Sequence, residues 1–314
     1  MRRFRTSAGG ELSRAQFLKL AGAASAAATV PVSGLLAASN TLAMRPIPKS
    51  KDNEQLPVVG LGTAQDFGAR RDIEDKTQVL KSLFSGGGKI VDTAANYASG
   101  SSEELLGELL EQESLRTKAF IATKFGERGR EKGIESMSRS FQRLRTDKID
   151  LMFVHNMIDT DAHLPALRDY KSQGRIRYFG VTSTGRNQDQ LTRWMDELDF
   201  VEFAYAVDFR DAEERLLPMA ADKGVGVLVA LPLGRGRPLR AMRGKEVPEW
   251  AIEELGCRTY AQLLLKFVVS HPAVTAAIPG TNNPKHMAEN LEAGHGPLAN
   301  AKQRERIAAI WENS

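Results

Sequence analysis

Short runs of apolar and β-branched residues alternate along the chain with longer segments whose apolar positions repeat at helical spacing. The apolar runs predict eight strands, at residues 58–61, 90–92, 120–123, 149–154, 176–181, 200–204, 225–230 and 274–278. The segments that follow them predict helices at residues 73–84, 102–110, 134–144, 161–173, 188–198, 211–223, 260–269 and 284–293. Eight strands, each followed by a helix, predict an α/β fold with a single (β/α)8 TIM barrel.

The first 43 residues do not follow this alternation. Basic side chains at positions 2, 3, 5, 14 and 19 precede an Ala-rich, weakly apolar stretch over residues 20–38, which is the layout of a signal peptide. Thr41 and Ala43 are small residues suitably placed for cleavage after residue 43. Residues 13–19, SRAQFLK, resemble the twin-arginine (Tat) signal pattern S-R-R-x-F-L-K, with Ala15 in place of the second arginine.

The predicted organisation is therefore a Tat-like signal peptide, residues 1–43, followed by a barrel domain, residues 44–314. It predicts export, with the periplasm as destination and contact with the membrane only during translocation. The alternative is an Ala-rich tail on a cytoplasmic protein.

The net positive charge of the chain lies in the predicted signal peptide, residues 1–43, called the leader here. The chain has 43 Lys and Arg against 39 Asp and Glu, a net charge of +4. Five of the basic residues and one acid, Glu11, lie in the leader, so residues 44–314 hold 38 of each sign. A nucleic-acid binder needs a surplus of basic side chains, so no nucleic-acid partner is expected. The single cysteine, Cys257, excludes an internal disulfide and a multi-cysteine zinc site.

Polar side chains stand where three predicted strands end: Asp92 after the second, Lys124 after the third and His155 after the fourth. Tyr97 follows Asp92 by five residues. The carboxyl ends of barrel strands meet at one mouth, where active sites of such barrels lie, so we expect these four side chains to lie together. Each alone has an ordinary structural explanation, such as a cap or a solvated lysine; their combination indicates chemistry.

The motifs around these residues resemble those of the aldo-keto reductases. Residues 92–107, DTAANYASGSSEELLG, are similar to the family pattern D-T-A-x-x-Y-x-x-G-x-S-E-E-x-x-G. ATK at 122–124 resembles the family's third-strand lysine, and DLMFVH at 150–155 its fourth strand. GVTS at 180–183, IPGT at 278–281 and EN at 289–290 resemble its cofactor segments. The resemblance runs from residue 58 to residue 293 and implies NAD(P)H-dependent reduction of a small aldehyde or ketone.

Reduction of a carbonyl group builds negative charge on its oxygen, so the site needs a proton donor and polar groups there. The resemblance implies that Tyr97 is this donor. An unperturbed tyrosine, with a pKa of about 10, donates poorly at neutral pH, so Lys124 is expected to lower the pKa of Tyr97. Asp92 is expected to pair with Lys124, and His155 to orient the substrate oxygen.

The resemblance also implies a cofactor site. Thr182, Ser183 and Glu202 occupy the positions that hold the nicotinamide amide, although glutamine is more usual at the position of Glu202. Tyr205 occupies the position that stacks on the ring. The adenosine and phosphate end would contact Gly280, Thr281, His286, Glu289 and Asn290. The resemblance implies NADP(H) as the cofactor. Many relatives carry Lys and Arg at the positions of Gly280 and His286, and their absence weakens recognition of a 2′-phosphate, so NAD(H) is the alternative. No metal is required.

A second interpretation is a regulatory subunit that binds the cofactor with little turnover, as some relatives do. The complete set of Asp92, Tyr97, Lys124 and His155 favours the enzyme, while Glu202 leaves the alternative open. A metal-dependent hydrolase is disfavoured because histidines and carboxylates do not cluster at several strand ends. Nothing in the sequence indicates an oligomeric state.

Overall fold

A computed structural model describes residues 41–64 and 67–314. An antiparallel hairpin of two short strands, β1 (Met44–Pro46) and β2 (Gln55–Pro57), precedes a sheet of eight parallel strands. The eight are β3 (Leu61–Gly62), β4 (Ile90–Asp92), β5 (Phe120–Phe125), β6 (Ile149–Val154), β7 (Ile176–Ser183), β8 (Phe200–Ala204), β9 (Gly226–Ala230) and β10 (Ala276–Ala277). All eight predicted strands are therefore present.

The parallel sheet curls until its two ends meet. Its strands neighbour one another in chain order from β3 to β10. Gly60 N donates to Ala277 O at 2.9 Å and Gly62 N to Pro279 O at 3.1 Å, so backbone hydrogen bonds also join the first strand segment to the last. This is the (β/α)8 arrangement that the alternating pattern predicts.

Helices cover the outside of the sheet. The described residues contain α1 (Ile73–Ser85), α2 (Ser101–Gln112), α3 (Arg130–Arg143), α4 (Thr160–Ser172), α5 (Leu216–Asp222), α6 (Arg237–Ala241), α7 (Glu249–Leu255), α8 (Tyr260–Val269), α9 (Pro284–Glu292) and α10 (Ala301–Glu312). Capping fixes several starts: Thr259 and Gln262 form a capping box at α8, and Asn283 caps α9 ahead of Pro284.

Two predicted helices are wrong in part. Residues 188–198 contain a 3-10 helix, Gln188–Trp194, rather than an α-helix. The helix predicted over residues 211–223 is divided into a 3-10 turn, Asp211–Glu213, and α5. Pro218 favours this division, because it lies in the first turn of α5, where the N–H that proline lacks has no helical partner. The hairpin of β1 and β2 and the short helices α6 and α7 were not predicted.

The interior of the barrel is packed. Its apolar side chains include Ile90, Phe120, Leu151, Phe153, Phe200 and Leu228, all fully or nearly fully buried. Ile47 and Leu56 of the hairpin belong to the same cluster and close the end at which the strands begin. The opposite end, where the strands finish, is left for polar side chains.

The chain before β1 already packs on the barrel. Leu42 is buried in the core, and Ala43 N donates to Gly294 O at 2.8 Å. The boundary after residue 43 stays a prediction, and the rest of the predicted signal peptide lies outside the described residues. Within residues 41–64 and 67–314, no helix has both the length and the apolar character needed to span a bilayer.

Candidate active site

The site is the last layer of the barrel interior. Side chains of a strand alternate between its two faces, so residues two apart share a face. Asp92 lies two residues after buried Ile90, and Glu202 two residues after buried Phe200. By the same spacing Lys124, His155 and Thr182 continue the inward faces of β5, β6 and β7. Strand alternation therefore directs five polar side chains towards one mouth of the barrel.

Lys124 is the centre of this layer. Its Nζ bonds to Asp92 Oδ2, donates to Thr93 O at 3.0 Å and lies 3.3 Å from Glu202 Oε2. Lys124 is 1% exposed and its two carboxyl partners are each 2% exposed. The predicted pairing of Lys124 with Asp92 is therefore present, with a second carboxyl that the prediction did not place there.

Tyr97 and His155 stand above this buried layer and are half-buried. Lys124 Nζ is 5.3 Å from the centre of the Tyr97 ring. The Tyr97 and His155 rings meet edge to face, with centres 6.0 Å apart. The structure thus brings together all four predicted catalytic side chains, with the two half-buried ones facing the mouth.

Arg143 of α3 and Glu103 of α2 support the loop that carries Tyr97. Arg143 of α3 donates to Ala95 O at 3.2 Å and lies 3.4 Å from Glu103 Oε2. Glu103 is fully buried and accepts from Thr123 Oγ1 at 2.6 Å. Sequence reasoning missed this support. Glu103 lies within the quoted family motif, but no signal in the sequence pairs it with Arg143.

The predicted amide-binding residues lie on two adjacent strands. Thr182 and Ser183 end β7 and are buried, and Thr182 Oγ1 accepts from Asn156 N at 3.0 Å. Glu202 pairs in register with Thr182. Its carboxyl faces Lys124 rather than standing free, which the comparison with glutamine did not anticipate.

Tyr205 is not at the mouth. Its ring is fully buried against Phe267, and its hydroxyl bonds to Glu213 and Arg304. Tyr205 is also among the residues that line the groove described next, so its position against the nicotinamide ring stays a prediction. Physically, the side chain after the inward-facing Ala204 points to the outer face of β8.

A groove of about 380 Å³ lies beside the mouth, between the segments that follow β8 and β9. Arginines at positions 235, 237 and 240 line it, together with Thr184 and Leu231. Arg237 Nε donates to Asp208 Oδ2 at 2.8 Å, which ties the segment after β9 to the segment after β8. Three arginines beside an inward-facing polar layer fit the phosphates and amide of a dinucleotide.

The predicted adenosine and phosphate residues lie along one segment. Gly280 bridges to Gly62, and Thr281 Oγ1 accepts from Asn283 N at 3.0 Å just before α9. His286 is exposed on the first turn of α9, Glu289 is half-buried and Asn290 is buried. Gly280, Thr281 and His286 thus lie around the start of α9, whereas Asn290 is buried further along the same helix.

Comparison with known proteins decides the family. The sequence model of the Aldo/keto reductase family matches residues 58–312. The chain belongs to the aldo/keto reductase family. All four catalytic positions described above lie within the matched residues.

Two curated relatives show how far this aldo-keto reductase has diverged. The methylglyoxal reductase YeaE of Escherichia coli (strain K12) is 29% identical over 79% of this chain and 88% of the relative. The aldo-keto reductase YhdN of Bacillus subtilis (strain 168) is 27% identical over 82% of this chain and 90% of the relative. A crystal structure of an aldo-keto reductase from Klebsiella pneumoniae in complex with NADPH matches with a TM-score of 0.70 at 24% identity, covering 83% of this chain and 93% of that one. This last likeness shows the fold alone.

The electrostatics of this aldo-keto reductase differ from the prediction at Tyr97. Burial raises the pKa of Tyr97 to about 12; Lys124 lowers that pKa, but Asp92 and Glu202 oppose it. Lys124 therefore acts on the pKa of Tyr97 in the predicted direction, but burial outweighs it and the net shift is upward. Burial opposes the ammonium form of Lys124, but the charges of Asp92 and Glu202 outweigh it and raise the pKa of Lys124.

His155 is held in its neutral form. Burial, followed by the positive charge of Lys124, lowers the pKa of His155 to about 4. A neutral imidazole can still donate one hydrogen bond to an oxygen that gains negative charge. At neutral pH the ammonium of Lys124 is therefore the cation beside Tyr97, and His155 is a neutral hydrogen-bonding group.

Gly100 offers a test of the support beneath Tyr97. Its φ is +99°, and a Cβ there would lie 2.3 Å from the Arg143 guanidinium carbon. Gly100→Ala is expected to displace Arg143 from Glu103 and Ala95, and to destabilise the fold by about 1–3 kcal/mol beyond the backbone strain. Urea denaturation measures the loss.

Gly256→Ala is the matched control for this substitution. Gly256 is also in the left-handed region, with a φ of +69°, but a Cβ there would meet nothing within 4 Å. The control isolates the backbone strain, so equal losses of stability for both variants would contradict the role given to Arg143.

Proposed function

We propose that this protein reduces an aldehyde or ketone with NADPH, with Tyr97 as the proton donor. The observation that carries the proposal is the convergence of Tyr97, Lys124, Asp92 and His155 at one barrel mouth, beside a groove lined by arginines. A complete acid–base set favours an enzyme over a subunit that only binds the cofactor.

The side chains have distinct tasks in this reduction. The reduced nicotinamide supplies a hydride when bound. Tyr97 gives its hydroxyl proton to the carbonyl oxygen, and the Lys124 ammonium stabilises the phenolate that remains. Asp92 keeps Lys124 in position, since a buried ammonium without a partner is costly. Neutral His155 donates a hydrogen bond to the same oxygen and so fixes the carbonyl group.

The choice of NADPH over NADH rests on cationic side chains. Arg235, Arg237 and Arg240 line the groove, and Lys285 is exposed at the start of α9. Such a set favours the additional phosphate of NADP(H). The solved relative from Klebsiella pneumoniae was crystallised with NADPH, which supports this choice. NADH is the alternative because Gly280 and His286 replace more usual basic residues.

Absorbance of NADPH and NADH in the presence of a panel of aldehydes and ketones tests the function. Methylglyoxal belongs in the panel because the Escherichia coli relative is named for it. Consumption of NADPH that depends on a carbonyl compound supports the enzyme. Tight binding of the cofactor without consumption for any compound identifies the regulatory subunit instead.

We further propose that residues 1–43 direct export by a Tat-like route. The support is the SRAQFLK segment ahead of the Ala-rich stretch. A route that carries folded proteins allows a cofactor to be loaded before export. With a reporter fused to residues 1–43, Arg14→Gln is expected to abolish translocation, whereas Arg5→Gln is the control that preserves it. Continued export of the Arg14→Gln fusion would contradict the assignment.

A further inference from the structure

Glu202 is the side chain whose surroundings the catalytic scheme does not explain. It lies in the middle of β8, is 2% exposed and places Oε2 3.3 Å from Lys124 Nζ. The same ammonium bonds to Asp92. One cation thus lies between two buried carboxyl groups.

The hydrogen bonding of these two carboxyl groups is incomplete without an additional proton. Among the described residues, Asp92 Oδ1 is buried without a hydrogen-bond partner, and the buried Glu202 Oε2 has the Lys124 ammonium 3.3 Å away as its ion-pair partner. Two ionised carboxylates around one ammonium would leave a net negative charge in the interior, which is costly. A proton shared by the pair removes that charge.

The proton belongs mainly to Glu202. Burial, helped by the neighbouring charge of Asp92, raises the pKa of Glu202 to about 8. Burial also raises the pKa of Asp92, but its direct bond to Lys124 favours the ionised form of this carboxyl group. On the flanking strands, Thr182 and Leu228 pair in register with Glu202 and carry no charge. The other titratable groups around Lys124 are Tyr97 and His155.

We propose that Glu202 is a positioning residue for the reduction. When Glu202 is protonated, the Lys124 ammonium is available to interact with Tyr97; when Glu202 is ionised, it competes with Tyr97 for that ammonium. The proposal rests on the function proposed above. It assigns to Glu202 a task distinct from holding the nicotinamide amide, because the carboxyl group acts through Lys124.

The direction of the effect follows from the charges. Lys124 lowers the pKa of Tyr97, whereas an ionised Glu202 raises it. An ionised Glu202 therefore makes Tyr97 a poorer proton donor. Reduction should be fast while Glu202 holds its proton and should slow as the pH rises through its titration.

The pH dependence of the single-turnover rate tests this role. Between pH 7 and pH 9 the wild-type rate is expected to fall about tenfold, since a group with a pKa of about 8 loses most of its protons over that range. Glu202→Gln has nearly the same shape but no titration, so its rate should fall less than about twofold over the same range. Glu202→Asp should restore an alkaline decline.

Glu103→Gln is the matched control, since Glu103 is fully buried beside β5 but bonds to Thr123 and Arg143 rather than to Lys124. The single-turnover rate of this variant should still fall about tenfold between pH 7 and pH 9. If the single-turnover rate of Glu202→Gln falls with pH as steeply as that of the wild type, the role given to Glu202 is overturned, but the proposed function is not. Absence of turnover in the wild type would overturn the proposed function as well.

Infrared spectroscopy supplies a readout that needs no turnover. The difference spectrum between wild type and Glu202→Gln at pH 6.5 (about 1.5 units below the titration) should contain the carbonyl band of a protonated carboxyl group. The band should disappear as the pH rises above about 8. A difference spectrum without this band at pH 6.5 would show that Glu202 is ionised, and would overturn the proposal.

Discussion

Replacing Tyr97 with Phe is expected to lower kcat for carbonyl reduction by about 10²–10⁴-fold while the cofactor still binds. The substitution removes only the hydroxyl group, whose proton the carbonyl oxygen receives. Tyr97 is half-buried and its ring contacts His155 edge to face, so the phenyl ring keeps the packing of the loop. Steady-state kinetics with NADPH and fluorescence titration of the cofactor measure the two quantities separately.

Tyr178→Phe is the matched control. Tyr178 also has a bonded hydroxyl, which donates to Glu54 Oε2 at 2.9 Å, but it lies in the barrel interior near the hairpin. This variant should keep its kcat. A Tyr97→Phe enzyme that retains more than about a tenth of the wild-type kcat would show that another group donates the proton.

Lys124→Met is expected to remove activity and to destabilise the fold by about 3–5 kcal/mol at neutral pH. The methionine fills the space, but Asp92 and Glu202 lose the cation between them. Both carboxyl groups are 2% exposed, so an ionised Asp92 without a partner is costly. Chemical denaturation of the variant and the wild type measures the difference.

The destabilisation should depend on pH in a definite direction. Without Lys124, burial raises the folded-state pKa of both carboxyl groups above their unfolded values, so the folded state binds protons more tightly. Stability of the variant is therefore greatest at low pH and is lost as the pH rises above about 4. The gap to the wild type should be small at pH 5 and large at pH 8.

Lys266→Met separates this effect from the loss of any buried lysine. Lys266 is fully buried, but it donates to the carbonyl oxygens of His295 and Pro297 and, within residues 41–64 and 67–314, bonds to no carboxylate. Its loss should cost stability without a growing penalty between pH 5 and pH 8, and should leave kcat unchanged. A loss of stability in Lys124→Met that does not change with pH would contradict the buried cluster of Lys124, Asp92 and Glu202.

Much of the barrel could be predicted because each strand is short, apolar and followed by a helical pattern. The strands at 90–92, 149–154 and 200–204 have the predicted bounds. Residues 188–198 could not be assigned correctly, because apolar spacing does not distinguish a 3-10 helix from an α-helix. The hairpin of β1 and β2 was missed because its strands are three residues each, too short for an alternation to appear.

The site was predictable where chemistry coincides with a strand end. Asp92, Lys124 and His155 each extend an inward face, so their meeting follows from the topology. Tyr205 lies one residue after an inward-facing position and is buried against the outer core, so strand alternation alone does not place it at the mouth. The acidity of Tyr97 could not be read from the sequence, because it depends on Glu202 of β8 reaching Lys124 of β5, with two strands of the barrel between them.

The transfer of hydrogen from cofactor to substrate tests the central claim most directly. NADPH carrying deuterium at C4 of the nicotinamide, in each of its two configurations, is incubated with the protein and a carbonyl compound that it consumes. Mass spectrometry of the alcohol should find one deuterium on the former carbonyl carbon from one configuration, and Tyr97→Phe should form about 10²–10⁴-fold less of this labelled alcohol over the same time. Alcohol without deuterium from either configuration, or no alcohol from any compound although NADPH binds, would contradict the account.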